Sequence, residues 1–425
     1  MNLLRPQKPY EFCPPRYAAW FRPVMHLISA WLLRRQFRIR QITLRGEEPL
    51  VRLARAGQSL LIAPNHADHA DPNLLVAVGR RHGLAFHFMA AREAFERGRL
   101  NRFALQRSGA FSVDREGADL AAIRTVMNIL RECRHPLVIF PEGEIYHHHE
   151  ELDLLNEGVA TILLRAAEKL PAGRRSYVVP TAIRIRHDAS VAATFSPRLD
   201  VLERRITWKP QRHADVIERI YRLGSALLAI KEAEYLGEAR QGLLVERIQR
   251  LQHYLVAQAE HRHGIAADHA SIPWRIKALR QVIRRELTAD APALTADRKE
   301  RLYDELDRLF AAQQLYSYPG QYVRRHPSLD RIAETIFKLE EDVLGRGTYP
   351  APRHAEVVFD EPVDVAGFLQ AKFLHAKSGI RPLTELLRHR IETLLHRAAG
   401  PRETAAATDA GCAPPAVPGI EHQRC

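Results

Sequence analysis

Apolar and polar residues change their period along this chain, and the changes mark out its elements. From Phe37 to Leu44 they alternate one by one, the period of a half-buried strand, and the run ends at Gly46. Short apolar stretches follow at Ser59 to Ala63, Leu84 to Met89, Ala110 to Val113, Leu137 to Phe140 and Ser176 to Ile185, the last interrupted by Pro180. Each has the length of a buried strand. Helical periods lie among them, over Ala118 to Cys133 (Leu120, Ile123, Val126, Met127, Leu130) and Glu157 to Leu170. Pro72 and Ala91-Arg92-Glu93 mark two further helix starts. Strands alternating with helices predict an α/β fold, with a mixed, mostly parallel sheet flanked by helices.

Beyond Arg186 the period becomes helical throughout. Val216, Ile220, Leu223, Leu227 and Ile230 recur at spacings of three and four, as do Leu244, Ile248, Leu251 and Leu255. The same pattern returns through Ile276, Leu279 and Ile283, through Leu302, Leu306 and Leu309, and through Ile332, Ile336, Leu339 and Val343. Breaks fall at Gly237, His263-Gly264, Asp290-Ala291-Pro292 and Tyr318-Pro319-Gly320. Several short helices in a bundle or hairpin array are expected there, with no catalytic constellation among their residues. A basic closing helix spans Thr384 to His396, and after Ala399 the small and turn-forming residues predict a disordered tail.

The N-terminal segment from Arg16 to Phe37 carries Trp20, Phe21, Val24, Met25, Leu27, Ile28, Trp31, Leu32 and Leu33, with Arg34-Arg35 at its end. Arg22, Pro23 and His26 interrupt it, so it falls short of the about 20 mostly apolar residues of a spanning helix. Aromatic and aliphatic side chains flanked by arginines suit a helix lying in a lipid headgroup region. The charge agrees. Across 425 residues the formal balance is +13, mostly arginine and spread along the chain, which favours anionic partners such as a membrane surface with anionic lipid. A nucleic-acid partner is not expected, because no groove-reading or aromatic-interleaved basic module appears. The four cysteines are scattered, without the spacing of a disulfide scaffold or zinc ribbon, and the N-terminus lacks the continuous apolar core of a secretory signal.

The chemistry concentrates in Pro64-Asn65-His66-Ala67-Asp68-His69-Ala70-Asp71-Pro72, where two histidines and two aspartates follow a strand. A strand end is where open α/β sheets place their sites. The residues by themselves allow a histidine base with an orienting carboxylate, or a metal site.

Three further blocks come in order: Gly109-Ala110-Phe111-Ser112-Val113-Asp114-Arg115, Phe140-Pro141-Glu142-Gly143, and Val179-Pro180. With Asn65-His66 and Asp71 five residues after the histidine, they resemble the glycerolipid acyltransferase superfamily, whose best-known members are the lysophosphatidate acyltransferases. The resemblance covers roughly Leu44 to Arg186. Ala355 to Leu369, through Glu361-Pro362-Val363-Asp364, looks like the same family's closing strand and turn. The helices between are then an all-helical insertion. The organisation expected is residues 1–43 as an amphipathic membrane-associating segment, 44–205 as the first part of the acyltransferase domain, 206–350 as the insertion, 351–398 as the closing strand and C-terminal helix, and 399–425 as the tail. A structural cap is a simpler role for the insertion than a partner-binding module.

The resemblance implies an O-acyltransferase that moves a fatty acyl group from acyl-CoA or acyl-carrier protein to a hydroxyl of a glycerol-phosphate-type or lysophospholipid acceptor. The amphipathic first segment and the positive charge predict that it works at the cytoplasmic face of a membrane, as a peripheral or monotopic protein. The resemblance implies His66 as general base and Asp71 as its orienting acid, with Asn65, Arg115, Glu142, Gly143 and Pro180 around the substrate. The chemistry suits those residue types, since a positioned imidazole takes the proton of an attacking hydroxyl. A carboxylate on its other nitrogen fixes the tautomer. No metal or cofactor is required, because the thioester already carries the activated acyl group. Asp68 and His69 are expected to be bystanders.

One departure bears on the acceptor. The family's third block usually continues Thr-Arg-Ser, and here it reads Glu144-Ile145-Tyr146, so an expected phosphate contact is absent and an acid is added. Either the acceptor headgroup is expected to differ from bare phosphate, or Arg115 and a residue elsewhere carry the phosphate. The following His147-His148-His149 is expected in a solvated loop or at the lip of the cleft, because adjacent side chains point different ways and rarely share an ion. Two other functions are weighed. Asn65-His66-Ala67-Asp68-His69 resembles the metallo-β-lactamase pattern His-x-His-x-Asp-His, with Pro64 in place of the first histidine, which would make the protein a metal-dependent hydrolase. The altered third block also leaves open a catalytically inactive, acyltransferase-like membrane scaffold.

Overall fold

The structure, a computed structural model, describes residues 10–115, 119–265, 271–288 and 294–397. The tail beyond 399 and the break at Asp290-Ala291-Pro292 lie outside the described residues. Eight strands form one sheet: β1 (Ile39–Arg45), β2 (Ser59–Pro64), β3 (His87–Ala91), β4 (Ala110–Val113), β5 (Leu137–Val138), β6 (Ser176–His187), β7 (Arg353–Phe359) and β8 (Val363–Asp364). Their order is β1-β7-β6-β2-β5-β3-β4, with β8 also paired to β6. The pairs from β6 through β4 are parallel; β7 and β8 run antiparallel to β6, and β1 runs parallel to β7. The sheet is thus mixed and mostly parallel, as the alternation of periods implied.

Helices cover both faces, which is why the central strands read as continuous apolar runs. On β2, Leu61 and Ala63 point to one side, where they join α6 (Leu120–Glu132), α7 (Gly158–Ala167) and α16 (Ile380–Arg397). Leu60 and Ile62 point to the other, against α2 (Glu48–Arg55) and α3 (Asp71–His82). Pro180 does not interrupt its strand as expected, because β6 runs straight through it. It falls between the residues of β6 that pair with β8, Tyr177 and Val178, and those that pair with β7, from Thr181 onward. A missing N–H is tolerated at such a gap in the ladder.

The N-terminal helix begins later and less regularly than its pattern suggests. A 3-10 turn at Ala19–Phe21 leads into α1 (Arg22–Trp31), and a π turn over Leu32–Gln36 closes it. Two short helices precede β4, α4 (Arg92–Glu96) and α5 (Arg99–Arg107).

After β6 come α8 (Phe195–Ile206), α9 (Val216–Leu236), α10 (Leu244–His263), α11 (Ile272–Thr288), α12 (Ala296–Tyr316), α13 (Tyr322–Arg325) and α14 (Leu329–Leu344), before the chain returns as β7. Side-chain oxygens of Asp215, Thr295 and Ser328 cap three of these helices, and Gly237, Gly264 and Gly345 end three in the left-handed conformation. Two of the breaks visible in the sequence, at Gly237 and at His263-Gly264, are therefore caps. One apolar cluster joins α10, α11 and α12, and a second joins α8, α9 and α14. A β8-linked helix, α15 (Val365–Ala371), precedes α16.

Candidate active site

The site is built where β2 stops. Asn65 is buried, and its side-chain amide takes both backbone groups of Ile183, donating to the carbonyl at 3.0 Å and accepting the N–H at 2.7 Å. That continues the β2–β6 ladder by a side chain while the main chain turns away. His66 comes next, with Nδ1 2.9 Å from Asp71 Oδ2 and its ring stacked on Phe140 at 3.9 Å between centroids. Asp71 opens α3 with Pro72 behind it, and its side chain is fully buried. Its Oδ2 also accepts the backbone N–H groups of Ala67 (3.0 Å) and Asp68 (2.9 Å). One carboxylate oxygen thereby closes the turn and aims the histidine. With Nδ1 held, Nε2 is the nitrogen left for a proton from outside.

Asp68 has a structural task. Its Oδ2 meets Arg353 Nη1 at 2.6 Å and accepts the Tyr349 hydroxyl at 3.2 Å, while its Oδ1 accepts the Ala70 N–H. Burial by itself would raise this carboxyl, but the adjacent Arg353 guanidinium holds it well below the usual range. Arg353 also donates to the Phe37 carbonyl at 2.9 Å, so the pair ties the His66 turn to β7 and to the end of the N-terminal helix. Neither Arg353 nor Tyr349 carries a local sequence signal, since their partner lies more than 280 positions away.

The third block reaches the histidine from behind. Glu142 Oε1 accepts the His66 backbone N–H at 2.6 Å, and Oε2 accepts that of Asp153 at 3.1 Å. Burial pushes the Glu142 carboxyl up to about 8, against the His66 N–H bond that favours its charged form. Gly143 follows at φ 77, and a Cβ there would sit 3.0 Å from the Asn156 side chain, so the turn suits glycine on both counts. Arg115, just past β4, donates to the Gly143 carbonyl at 2.6 Å and pairs with Glu144 at 2.9 Å; Glu93 of α4 lies 3.7 Å from its other nitrogen. The acid that replaces the expected Thr of the third block thus faces the expected phosphate arginine.

These residues fall within one matched span. The family model described as Acyltransferase matches residues 41–184. The match begins in β1 and ends in β6, so it takes in Asn65, His66, Asp71, Arg115, Glu142, Gly143 and Pro180, and leaves the helices from α8 to α14 outside. No curated protein matches the chain. The acyltransferase likeness therefore belongs to the α/β unit that carries the site.

The segment after the third block meets the helical region. Tyr146 Oη accepts a hydrogen bond from Gln313 at 3.2 Å and packs on Tyr316. His148 packs on Tyr322, His149 Nδ1 lies 2.9 Å from Glu334, and Glu150 bridges Arg184 and Arg331 at 2.6 Å each. His147 Nε2 meets Glu341 at 2.9 Å. His147 and His149 are buried, which rules out the solvated loop among the two placements expected for the histidine run. The segment after Glu142 is the seat on which α12, α13 and α14 rest. Of Glu144-Ile145-Tyr146, which stand where the family usually has Thr-Arg-Ser, Tyr146 reaches across that seam, while Glu144 turns to Arg115. Burial opposes charging of His149, but Glu334 beside it raises its affinity for a proton.

The metal-dependent hydrolase reading needs His66 as a ligand. Among the described residues, the group of His, Cys, Asp and Glu close enough to hold an ion is His69, His147 and Glu341, which leaves out both His66 and Asp71.

Proposed function

We propose that the chain is an O-acyltransferase that moves a fatty acyl group from acyl-CoA or acyl-carrier protein to the hydroxyl of a lyso-lipid acceptor, with His66 as general base and Asp71 as its orienting acid. The observation that carries this reading is the 2.9 Å contact between His66 Nδ1 and Asp71 Oδ2, with the same oxygen fixed by two backbone N–H groups. The acceptor's hydroxyl gives its proton to His66 Nε2 as its oxygen attacks the thioester carbonyl. The C–S bond breaks, and the imidazolium returns the proton to the departing thiolate. Asp71 stabilises that imidazolium as charge develops on it. Stacking on Phe140 limits rotation of the ring.

The contacts of Arg115 support an acceptor whose headgroup is not a bare phosphate. A second phosphate oxygen would have to displace Glu144 from the guanidinium or share it with that carboxylate, and like charges at such range oppose binding.

A membrane-surface location is part of the reading. Among the described residues, no helix is long and apolar enough to cross a membrane. Trp20, Leu27 and Trp31 nonetheless stand 66%, 70% and 60% exposed, with Val24 and Ile28 exposed beside them. Positions 20, 24, 27, 28 and 31 share one helical face. Leu100 and Phe103 of α5 are exposed as well, and Phe103 packs against Phe21. Next to this face is a cavity of about 570 Å³, lined in part by Trp31, Ile42, Arg34, Arg35, Arg40 and Arg80. Apolar side chains beside arginines suit a headgroup layer with anionic lipid.

Radiolabelled acyl-CoA supplied with a mixture of lyso-lipids tests the proposal. Acylated lyso-lipid is expected with the wild type and none with a folded His66→Ala variant. A variant that kept full transfer would remove His66 from the role of base, and a clear preference for lysophosphatidate would sink the headgroup argument. The absence of transfer to any acceptor would favour the inactive scaffold.

A further inference from the structure

His69 and His147 converge on a single carboxylate. His69 Nε2 lies 3.0 Å from Glu341 Oε1, and His147 Nε2 lies 2.9 Å from Glu341 Oε2. The ligand atoms available on the three residues all fall within 4.8 Å of one another. The two imidazoles stand edge to face at 5.4 Å. Three separate segments supply the group: the turn after β2, the segment after Glu142, and α14.

The backbone reinforces the convergence. His147 sits at φ 61, in the left-handed region that disfavours residues with a Cβ, by about 1–2 kcal/mol. In that conformation its imidazole reaches Glu341, while the side chains on either side, Tyr146 and His148, turn to Tyr316 and Tyr322. Phe337 packs on the His147 ring at 5.2 Å and gives the site an apolar wall. His69 and Glu341 remain partly open to solvent. Lys338, a buried cation that acts on His147, lies over the Tyr318 ring and within electrostatic reach of Asp342 as well as Glu341.

We propose that His69, His147 and Glu341 bind a divalent transition-metal ion of the zinc class. Two imidazoles and a carboxylate form a recurrent zinc donor set, and ligand atoms around a tetrahedral zinc stand about 3.3 Å apart. The two hydrogen-bonded separations, made to the two different oxygens of Glu341, are within a few tenths of an ångström of that spacing, and the remaining separation, no more than 4.8 Å, closes toward it as the ion draws the imidazoles in. The partly exposed side leaves a fourth position for water. On binding, each imidazole Nε2 gives its lone pair to the metal, and any proton it shared with Glu341 passes to solvent. Because His66 and Asp71 are not ligands, the ion fastens the turn from His66 to Asp71 onto α14 and takes no part in the acyl transfer. The site stands independently of the reaction proposed above.

The full-length protein, stripped with a chelator and titrated with Zn²⁺ under competition, tests this, with Co²⁺ absorption reporting the ligand geometry. One tightly held equivalent is expected, with the visible spectrum of a tetrahedral cobalt site and a Tm raised by zinc. Glu341→Gln and His147→Asn are each expected to weaken binding by about tenfold or more and to abolish the Tm shift. Asparagine tolerates the left-handed backbone, so His147→Asn is expected to fold, as circular dichroism checks. His148→Gln, a change to the adjacent histidine, is expected to bind like the wild type. No tight equivalent in the wild type, equal uptake by Glu341→Gln and His147→Asn, or an equal loss in His148→Gln would overturn the assignment.

Discussion

Asp71→Asn separates charge from geometry at the proposed base. In the wild type, Oδ2 accepts three hydrogen bonds, from His66, Ala67 and Asp68, while Oδ1 is buried and meets no donor among the described residues. Asparagine can place its carbonyl oxygen at the Oδ2 position and keep all three bonds, which puts the amide NH2 where Oδ1 was. Two consequences follow. The NH2 lacks an acceptor in a buried place, which costs about 1–3 kcal/mol of stability. The imidazolium formed during transfer also loses its anionic partner, and general-base catalysis by a positioned histidine contributes about 10²–10⁴-fold. A fall in kcat of that order corresponds to about 3–5 kcal/mol in the barrier. Initial rates of acyl transfer over a range of acceptor concentrations, with urea unfolding in parallel, give both numbers. The expected result is a large loss in kcat with KM little changed and a folded protein. A variant within threefold of wild-type kcat would refute the reasoning, because the Asp71 charge would then do nothing for His66.

Three other changes probe the frame around the site. Arg353→Met removes the partner of the buried Asp68 carboxylate, and leaving a buried charge unpaired costs about 3–5 kcal/mol, which a lowered urea midpoint would register. Replacing Trp20, Leu27 and Trp31 together by serine is expected to leave Tm nearly unchanged, since all three are exposed, yet to reduce sedimentation with anionic vesicles at least tenfold, each large apolar side chain being worth about 1.5–3 kcal/mol when fully buried. Glu142 is expected to make stability depend on pH. Its carboxyl is raised from 4.5 to about 8 in the folded protein, so the folded state holds the proton more tightly than the unfolded one. Its contribution is fully present below about pH 4.5 and is lost as pH rises through 8. Between those values the difference in urea midpoint between wild type and Glu142→Gln should shift against the wild type, and a constant difference would contradict the burial argument.

What the sequence determined by itself is local. Continuous apolar runs located β2, β4 and β6, because strands covered on both faces need no polar alternation. Spacings of three and four located α9, α10, α12 and α14, and glycine marked where three of the helices stop. The five-residue spacing of His66 and Asp71 was legible for the same reason, since one turn closes it and one carboxylate oxygen holds it. Pro180 was misread because a proline's effect depends on which strand lies beside it, and that neighbour arrives from residues beyond 353. Which of its two expected placements the histidine run takes was not legible for a similar reason. Its burial depends on Glu334, Glu341 and Tyr322, which stand some 170 to 195 positions further on and are brought there by the packing of the helical region on the sheet. Pattern reports which face of an element is apolar. Only tertiary structure decided which charged group meets which, and so gave Asp68 its arginine, Arg115 its two carboxylates, and His69 and His147 their shared glutamate.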